Sequence, residues 1–247
     1  MTAYSPITPA IRAELEARLS PGTLITEPAR LEDYAGDASC LRHLPELVVC
    51  AHSVADVQTL LTLANTHRFP VTPRGGGSGL AGACLADLGG VVLSTRGLDA
   101  IRTIDTTNFI MEVEAGAISQ RVREAAAARG LFYPPDPAGM ELSTIGGNAA
   151  TDAGGPACVK YGTTRDYILG LEAVLPDGSL ITTGVRTRKG VVGYDLTNLL
   201  VGCEGTLAVI TALTLKLLPK PAATTGVLCA FASMADAMRA VARVMAE

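Results

Sequence analysis

The sequence predicts a mixed α+β fold on the strength of three observations. A strand, a helix and a second strand follow one another within residues 47–72. Two segments, 100–114 and 171–183, each contain two β-rich runs joined by a short turn, which indicates antiparallel pairing. A glycine-rich loop follows the first strand–helix–strand unit, and the helix that a parallel βαβ crossover needs is missing after it.

This loop, Thr72-Pro-Arg-Gly-Gly-Gly-Ser-Gly-Leu-Ala-Gly82, contains five glycines in the eight residues 75–82. Glycine adopts φ > 0 without steric cost, so successive N–H groups can turn toward one anion, and no side chain holds that anion away. Arg74 and the hydroxyl of Ser78 would add donors. A flexible turn is the alternative, but a simple turn rarely uses so many glycines. The loop therefore predicts a site for a phosphate or pyrophosphate.

The loop also matches the dinucleotide pattern G-x-G-x-x-G at Gly77, Gly79 and Gly82, which requires a full helix after it. Only residues 83–88 separate Gly82 from the Gly-Gly pair and the β-rich run at 91–93. The P-loop ending Gly-Lys-Ser/Thr is absent as well. We therefore predict a pyrophosphate site outside a Rossmann fold.

Composition excludes several classes of function. The 247 residues are 48% hydrophobic and 18% charged, which is typical of a folded chain. A net charge of −4, 4% aromatic residues and no Trp argue against nucleic-acid binding. No apolar run reaches the roughly 18–20 residues of a membrane span, and the N-terminus lacks the layout of a signal peptide, so we expect a cytoplasmic protein. The six scattered cysteines indicate reduced thiols rather than disulfides or a metal site, and the three isolated histidines suggest surface or capping roles.

The other elements follow from periodicity, capping residues and turns. Thr8 caps the first helix, Ser53 and Asp56 begin the second, and Asp195 caps a late short helix. Residues 24–44 are polar and irregular, and residues 219–221 are predicted as a linker. The predicted helices are 8–19, 53–67, 118–129 and 193–200, and the predicted strands are 47–50, 69–72, 90–94, 100–105, 109–114, 168–175, 180–183 and 208–218.

A second stretch rich in small residues covers 131–155. Its prolines, at 134, 135 and 137, make a stiff loop, and Gly146-Gly147 permits close approach of another backbone or a flat ligand. Thr144, Asn148 and Thr151 offer hydrogen-bonding groups at the start of a short helix. An ordinary surface loop is the alternative, but it fits poorly with so many small residues among apolar neighbours.

The tail is predicted to form a strand at 226–231 and a helix from Ser233, with Met238, Val241 and Met245 on one face. One strand and one helix cannot bury both of their apolar faces. We therefore expect either a truncated chain or a partner chain that completes a second domain.

Six sets of motifs stand out along the chain: 73–80, 134–137, 144–148, 152–155, 160–166, and 193–196 with 202–207. Together they resemble the vanillyl-alcohol oxidase superfamily of flavoproteins, whose FAD-binding domain is of p-cresol methylhydroxylase type. Within it, they look most like the glycolate oxidase flavin subunit and the D-lactate and D-2-hydroxyglutarate dehydrogenases. The order and spacing of the motifs match the family over residues 30–220.

The resemblance implies an α+β fold of two subdomains with FAD lying extended between them. On this basis, residues 1–44 form an N-terminal segment, 45–103 and 104–221 form the two FAD-binding subdomains, and 222–247 begin an incomplete substrate (cap) domain. Covalent relatives carry a His at the position of Ser78, so we expect non-covalent FAD. Cys203 and Asp152 depart from the commoner Ser and Asn without abolishing binding.

The resemblance also assigns FAD-contacting residues. The pyrophosphate is assigned to Pro73, Arg74, Gly75, Gly76, Gly77, Ser78, Gly79, Leu80 and Gly82. The ribityl and flavin side is assigned to Pro135, Asp136, Ser143, Thr144, Gly147, Asn148, Thr151 and Asp152, with Tyr161 and Gly162 near the ring. Gly205, Val209 and Ile210 are assigned to the adenine side.

The implied activity is oxidation of a D-2-hydroxy acid by hydride transfer to FAD, and the run 188–195 favours it. No His, Asp or Glu is a convincing base, so no catalytic residue is assigned to this chain, and a cap domain or partner subunit would bind the substrate. The electron acceptor stays open. The alternatives are an oxidase of alcohols or sugars or a cell-wall precursor reductase of the same fold, and a non-catalytic flavin-binding subunit that works with a partner.

Overall fold

The computed structural model describes residues 4–187 and 189–246. Arg188, which begins the run 188–195 used above, lies outside the described residues, as do residues 1–3 and 247. The described chain contains a four-stranded sheet from its first part and a five-stranded sheet from its later part.

The first sheet is built on parallel pairing. β2 (Leu47–Cys50) and β3 (Val71–Arg74) flank β4 (Val91–Ser94) and run parallel to it, and β1 (Leu24–Ile25) adds an antiparallel edge beside β2. α1 (Pro9–Arg18) and α3 (Val54–His67) pack with this sheet, and α2 (Pro28–Leu31) follows β1.

Capping residues fix the two long helices of this layer as the sequence predicted. Thr8 accepts the Ile11 N–H, and Ser53 forms a reciprocal capping box with Asp56. Behind them Leu15 and Leu60 are fully buried, so the apolar faces of α1 and α3 share one core.

The second sheet is antiparallel throughout, with strand order β5-β6-β10-β8-β9. Its strands are β5 (Ile101–Asp105), β6 (Ile110–Glu114), β8 (Ile168–Val174), β9 (Leu180–Gly184) and β10 (Val209–Lys216), and β7 (Leu131–Phe132) pairs separately with β11 (Leu218–Pro219). The helices of this part are α4 (Ser119–Ala127), α5 (Ile145–Thr151), α6 (Cys158–Tyr161) and α7 (Leu196–Leu200).

The two sheets are joined through side chains as well as through the chain itself. Val174 and Val209 of the second sheet are buried in the core of the first. The turn between β8 and β9 accepts hydrogen bonds from α3: Gln58 Nε2 donates to the Gly178 carbonyl at 2.8 Å, and Asn65 Nδ2 to that of Pro176 at 2.5 Å. These contacts fix the position of the second sheet relative to the first.

The connection from β3 to β4 contains no helix. The glycine loop and an irregular segment occupy residues 75–90, although the two strands are parallel neighbours. The absence of a Rossmann helix here was predicted correctly, and the parallel pairing shows that an irregular crossover can connect these strands.

Several element predictions need correction. The predicted strand 226–231 is wrong: those residues pair with no strand in the described chain, and the Val227 and Leu228 side chains are 81% and 100% exposed. β-rich composition cannot make a strand without a neighbour to bond. The strand predicted at 69–72 begins at Val71, where pairing with β4 starts, and β11 extends into the predicted linker by pairing with β7.

α8 (Met234–Ala246) forms as predicted and keeps its apolar side chains exposed. The polar segment 24–44 contains β1, α2 and one 3-10 turn at Glu32–Tyr34. No helix within the described ranges combines the length and apolarity that membrane crossing requires.

Candidate functional site

Three adjoining cavities form a cleft between the two sheets. The loop cavity, about 560 Å³, lies against the glycine loop and α5. The neck, about 90 Å³, runs between Pro73 and Gly205. The strand cavity, about 800 Å³, has an apolar wall that includes Phe69, Val71 and Val209. Neighbouring cavities share lining residues, so the cleft is continuous and suits an extended ligand.

The first glycines of the loop pack directly on the segment that leads into α5. A Cβ at Gly75 would lie 2.3 Å from Thr144 Oγ1, and a Cβ at Gly76 would lie 2.1 Å from the Leu142 carbonyl oxygen. Any side chain here would push the two segments apart. Glycine is therefore required for the close approach that forms one wall of the loop cavity.

The backbone donors of the loop are free. Within the part of the chain that the structure describes, no protein acceptor meets the N–H groups of residues 75–79. Gly77 has φ 71°, which turns the chain within this run. These residues are half-buried or exposed where they line the loop cavity, so their five unpaired donors are open to a ligand. Successive unpaired backbone N–H groups are the donor set that binds a pyrophosphate. The residues present therefore fit the phosphate part of a dinucleotide.

Arg74 is placed differently from its predicted position at the mouth of the loop. Its side chain is buried beneath the loop, where Nη2 donates to the Gly36 carbonyl at 2.7 Å and Nη1 to Cys84 Sγ at 3.2 Å. The guanidinium also lies 5.8 Å from the centre of the Tyr34 ring. A Cβ at Gly77 would lie 2.1 Å from Nη2, so the guanidinium supports the loop from behind.

The end of the loop is held by Asp37, which the sequence did not indicate. Its carboxylate accepts a hydrogen bond from the Gly82 N–H at 3.0 Å, so this N–H already has an acceptor within the protein. Burial raises the pKa of Asp37, but hydrogen bonds from Ser39 and Gly82 and the charge of Arg74 outweigh it, so the pKa is lowered. Asp37 and Cys84 both line the loop cavity, whereas Gly82 does not.

The start of α5 uses its own donors internally. Thr144 caps the helix and accepts the Gly147 N–H at 3.2 Å, while the Ile145 and Gly146 N–H groups donate to the Ala117 and Ala115 carbonyls at 2.9 and 2.7 Å. α5 therefore offers a packed wall rather than an anion site.

Ser143 and Asn148 belong to a buried hydrogen-bond network behind this wall. Ser119 Oγ lies 2.8 Å from Ser143 Oγ, and Asn148 Nδ2 donates to Ser119 Oγ at 2.7 Å. Thr151 donates to the Gly147 carbonyl at 3.0 Å. The predicted polar groups thus fix the position of α5 as well as lining the cavity.

Asp152 ends α5 with φ 48° and binds Arg165 twice, through the backbone N–H at 2.9 Å and Nε at 3.0 Å. Arg165 also donates to the Asn198 and Val201 carbonyls at 2.6 and 2.9 Å, which connects α5 to α7. Burial raises the pKa of Asp152, but hydrogen bonds from Arg165 and Thr163 and the Arg165 charge lower it overall.

Most of the predicted residues meet in this cleft. The loop cavity and the neck are lined by Pro73, Arg74, Gly75, Gly76, Gly77, Ser78, Gly79, Leu80, Ser143, Thr144, Gly147, Asn148, Thr151, Asp152, Gly205, Val209 and Ile210.

Four other predicted residues do not line it. Asp136 accepts the Ala157 N–H at 3.0 Å, and the Pro135 carbonyl accepts Arg123 Nη1 at 3.3 Å. The Tyr161 ring packs against Phe132 with ring centres 5.5 Å apart, and Gly162 lies against Asp166.

Glu204 is one of the lining residues that the sequence interpretation passed over. It lines all three cavities and lies within the segment 202–207, which was singled out for its neighbour Gly205. Its place directly before Gly205 was the available signal. Asp37 had none, since it lies in the irregular segment 24–44.

Comparison with known proteins agrees with this geometry. A family model described as "FAD binding domain" matches residues 45–184. The chain therefore belongs to this FAD-binding family, the vanillyl-alcohol oxidase type that its motifs resemble, and FAD is its cofactor.

Two relatives and one solved structure show how far the likeness extends. The chain is 40% identical over 214 residues to the glycolate oxidase subunit GlcD of Bacillus subtilis, covering 86% of this chain and 46% of that protein. It is 35% identical over 240 residues to a D-lactate dehydrogenase of Anaerostipes hadrus, covering 96% and 50%. An alkyldihydroxyacetonephosphate synthase structure shares the fold, with a TM-score of 0.77, 24% identity and coverage of 90% and 42%. The chain thus spans about half the length of these proteins.

Proposed function

We propose that the chain holds FAD non-covalently in the cleft and is the FAD-binding part of an oxidoreductase that converts a D-2-hydroxy acid to the 2-oxo acid. The observation that carries the proposal is the row of unpaired N–H groups at residues 75–79 on a continuous cleft. The substrate class is supported by the names of the two relatives, glycolate oxidase subunit and D-lactate dehydrogenase.

In this proposal the loop cavity takes the pyrophosphate and the ribityl and flavin side, and the strand cavity takes the adenine. The loop N–H groups bind the pyrophosphate, with Arg74 and Asp37 holding the loop in shape. The adenine lies toward Gly205 and Val209, against the apolar wall of the strand cavity. Residues 143–152 line the ribityl and flavin side. When bound, FAD would supply the acceptor for the hydride from C2 of the hydroxy acid, and a base would take the hydroxyl proton.

The non-covalent attachment is supported by Ser78 and its surroundings. Ser78 lines the loop cavity, and its Cβ lies 3.4 Å from the position that a Cβ on Gly139 would take. A serine hydroxyl lacks the nucleophilic ring nitrogen through which a histidine joins a flavin.

The base is proposed to come from outside this set of residues. No histidine lines any of the three cavities in the described chain, and the His67 ring is 2.8 Å from Glu14 on α1.

We propose the domain division given above: an N-terminal segment 1–44, FAD-binding subdomains 45–103 and 104–221, and a cap domain that begins at 222. The exposed Met234, Met238 and Val241 side chains of α8 support the last of these.

A non-catalytic flavin-binding subunit is the second candidate. The exposed apolar face of α8 favours it, because a partner chain could cover that face. The relative from Bacillus subtilis is itself named as a subunit.

The test uses absorbance of the purified protein with the proteins that co-purify with it. Saturation with FAD is expected to give a bound flavin spectrum, and acid precipitation to release the pigment into the supernatant. This chain alone is expected to leave the flavin oxidised, because it supplies no base. With the cap domain or a co-purifying partner present, anaerobic D-lactate or glycolate is expected to bleach the flavin, with L-lactate as the control. Pigment in the pellet would refute non-covalent binding. Bleaching by alcohols or sugars alone would refute the substrate class, and no bleaching by any of them with a co-purifying partner present would favour the subunit hypothesis.

A further inference from the structure

A proline-rich loop forms the wall of the loop cavity that meets the glycine loop. This proline loop, residues 133–140, follows β7, and its Pro137, Ala138 and Gly139 line the loop cavity. A Cβ on Gly139 would lie 3.4 Å from the Ser78 Cβ, so the two loops are in van der Waals contact. A ligand that leaves the cavity on this side needs the two loops to separate.

A single side chain on α4 holds the proline loop at three places. The Arg123 guanidinium lies 5.6 Å from the centre of the Phe132 ring, directly before the loop. Its Nη1 donates to the Pro135 carbonyl at 3.3 Å and lies 3.1 Å from Met140 Sδ, a weak acceptor. One half-buried guanidinium thus connects both ends of the loop, and a carbonyl within it, to α4.

The position of the proline loop depends on side chains. Residues 134–138 form no backbone–backbone hydrogen bond within the described chain, and their three prolines have no N–H to donate. The Asp136 carboxylate accepts the Ala157 N–H with both oxygens, at 3.0 and 3.1 Å. The other hydrogen bond to this part of the described chain comes from Arg123, through the Pro135 carbonyl. Pro135 and Asp136 therefore attach a loop that lines the cavity, although they do not line it themselves.

We propose that Arg123 is a positioning residue for ligand retention, whose guanidinium keeps the proline loop against the glycine loop and so slows the release of FAD. The inference rests on the proposed binding of FAD in this cleft. Arg123 lines none of the three cavities, so it acts through the loop. Loss of the guanidinium frees residues 137–139 to move away from Ser78, which opens the cavity without removing any side chain that lines it.

The test compares wild type with Arg123→Met and Arg123→Lys. Met keeps an unbranched side chain of similar helix propensity and removes the guanidinium, whereas Lys keeps the charge and a donor. Arg121→Met is the matched control, since it removes the same charge from the same helix at an exposed ion pair, 3.0 Å from Asp99. FAD release is measured by the recovery of flavin fluorescence after dilution, and amide exchange is measured on the unliganded proteins.

Arg123→Met is expected to release FAD about 10-fold faster, with Arg123→Lys between it and wild type and Arg121→Met like wild type. The amides of Leu142 and Ser143, which donate to the Gly139 carbonyl at 2.9 and 2.7 Å, are expected to exchange faster in Arg123→Met.

A role in overall stability alone would lower the amount of FAD bound and leave the release rate of bound FAD unchanged, so an unchanged rate would overturn the inference. Faster release in Arg121→Met to the same degree would overturn it as well, because charge would then explain the effect. Failure of wild type to bind FAD would instead refute the proposed function itself.

Discussion

The glycine loop and the start of α5 are both glycine-rich and face the same cavity, but their backbone donors are in opposite states. The N–H groups of residues 75–79 have no acceptor in the described chain, whereas those of Ile145, Gly146 and Gly147 are all bonded internally. The glycines of α5 serve packing, since a Cβ at Gly146 would lie 2.5 Å from Ala115 Cβ. Glycine content alone therefore does not identify an anion site. What identifies it is a set of backbone N–H groups that have no acceptor within the protein.

The difference also extends to what holds each segment. The loop is supported from behind by Arg74, which reaches Tyr34 and Gly36, and its end is held by Asp37 of the same segment. α5 is capped by Thr144 and closed by Asp152, which binds Arg165. An aspartate thus holds the end of each segment, but only the loop has unpaired donors for a ligand.

The largest expected effect is on amide hydrogen exchange. Without FAD, the amides of 75–79 should exchange rapidly and those of Ile145 and Gly146 slowly. At an FAD concentration about a hundred times Kd, we expect the loop amides to slow about a hundredfold, with little change in α5. Mass spectrometry of peptides from the two segments measures this. Equal slowing in both segments would show that FAD orders α5 as well as the glycine loop, and would contradict the difference between their backbone donors.

Gly146→Ala tests the packing role of the α5 glycine. Its Cβ would meet Ala115 Cβ at 2.5 Å and the Ala115 carbonyl oxygen at 2.9 Å, so α5 must move off β6. We expect a loss of about 3 kcal/mol in unfolding free energy and a Tm lower by roughly 6–12 °C, measured by circular dichroism.

Gly79→Ala is the matched control for this substitution. No heavy atom lies within 4 Å of the position that a Cβ on Gly79 would take, and Gly79 is not among the positive-φ glycines, so the stability of this variant should be unchanged. Equal losses in the two variants would contradict the assignment of Gly146 to packing.

Arg74→Ala tests the support of the loop. It leaves the Gly36 carbonyl without its donor and removes the group that lies against Gly77. We expect about 2 kcal/mol of destabilisation together with weaker FAD binding, since the free donors lose their alignment. Denaturant unfolding and fluorescence titration measure the two effects. If FAD binds weakly while stability is unchanged, Arg74 contacts the ligand directly, as the sequence had predicted.

The smallest effect is the pH dependence from Asp37 and Asp152. Both folded-state pKa values are lowered from the ordinary 3.8, so the folded state favours the ionised carboxylates. Their contribution is complete above that value and is lost as pH falls through the lower folded-state pKa.

Tm measured from pH 7 to pH 3 should therefore fall in acid, and less steeply in Asp37→Asn and Asp152→Asn. Asp33→Asn, an exposed site beside the same segment, is the control. Parallel acid profiles in all four proteins would show that neither aspartate contributes.

Local sequence determined much of this protein. Helical periodicity and caps placed α1, α3 and α7 to within a few residues, and the turns placed the β5–β6 and β8–β9 hairpins. Five glycines after a strand, with no helix to follow, indicated a pyrophosphate site outside a Rossmann fold. These features depend on neighbours in the chain, whose geometry is fixed by residue type and spacing.

Tertiary structure decided the remainder. It turned Arg74 under the loop, brought Asp37 and Glu204 to the cleft, bonded the donors of α5 internally and left residues 226–231 without a partner in the described chain. Each of these depends on which distant group lies opposite, such as Gly36 for Arg74 or Ala115 for Gly146. The spacing of residues along the chain does not predict which distant group this is. The partner of a donor, or the neighbour of a strand, is set by the tertiary fold.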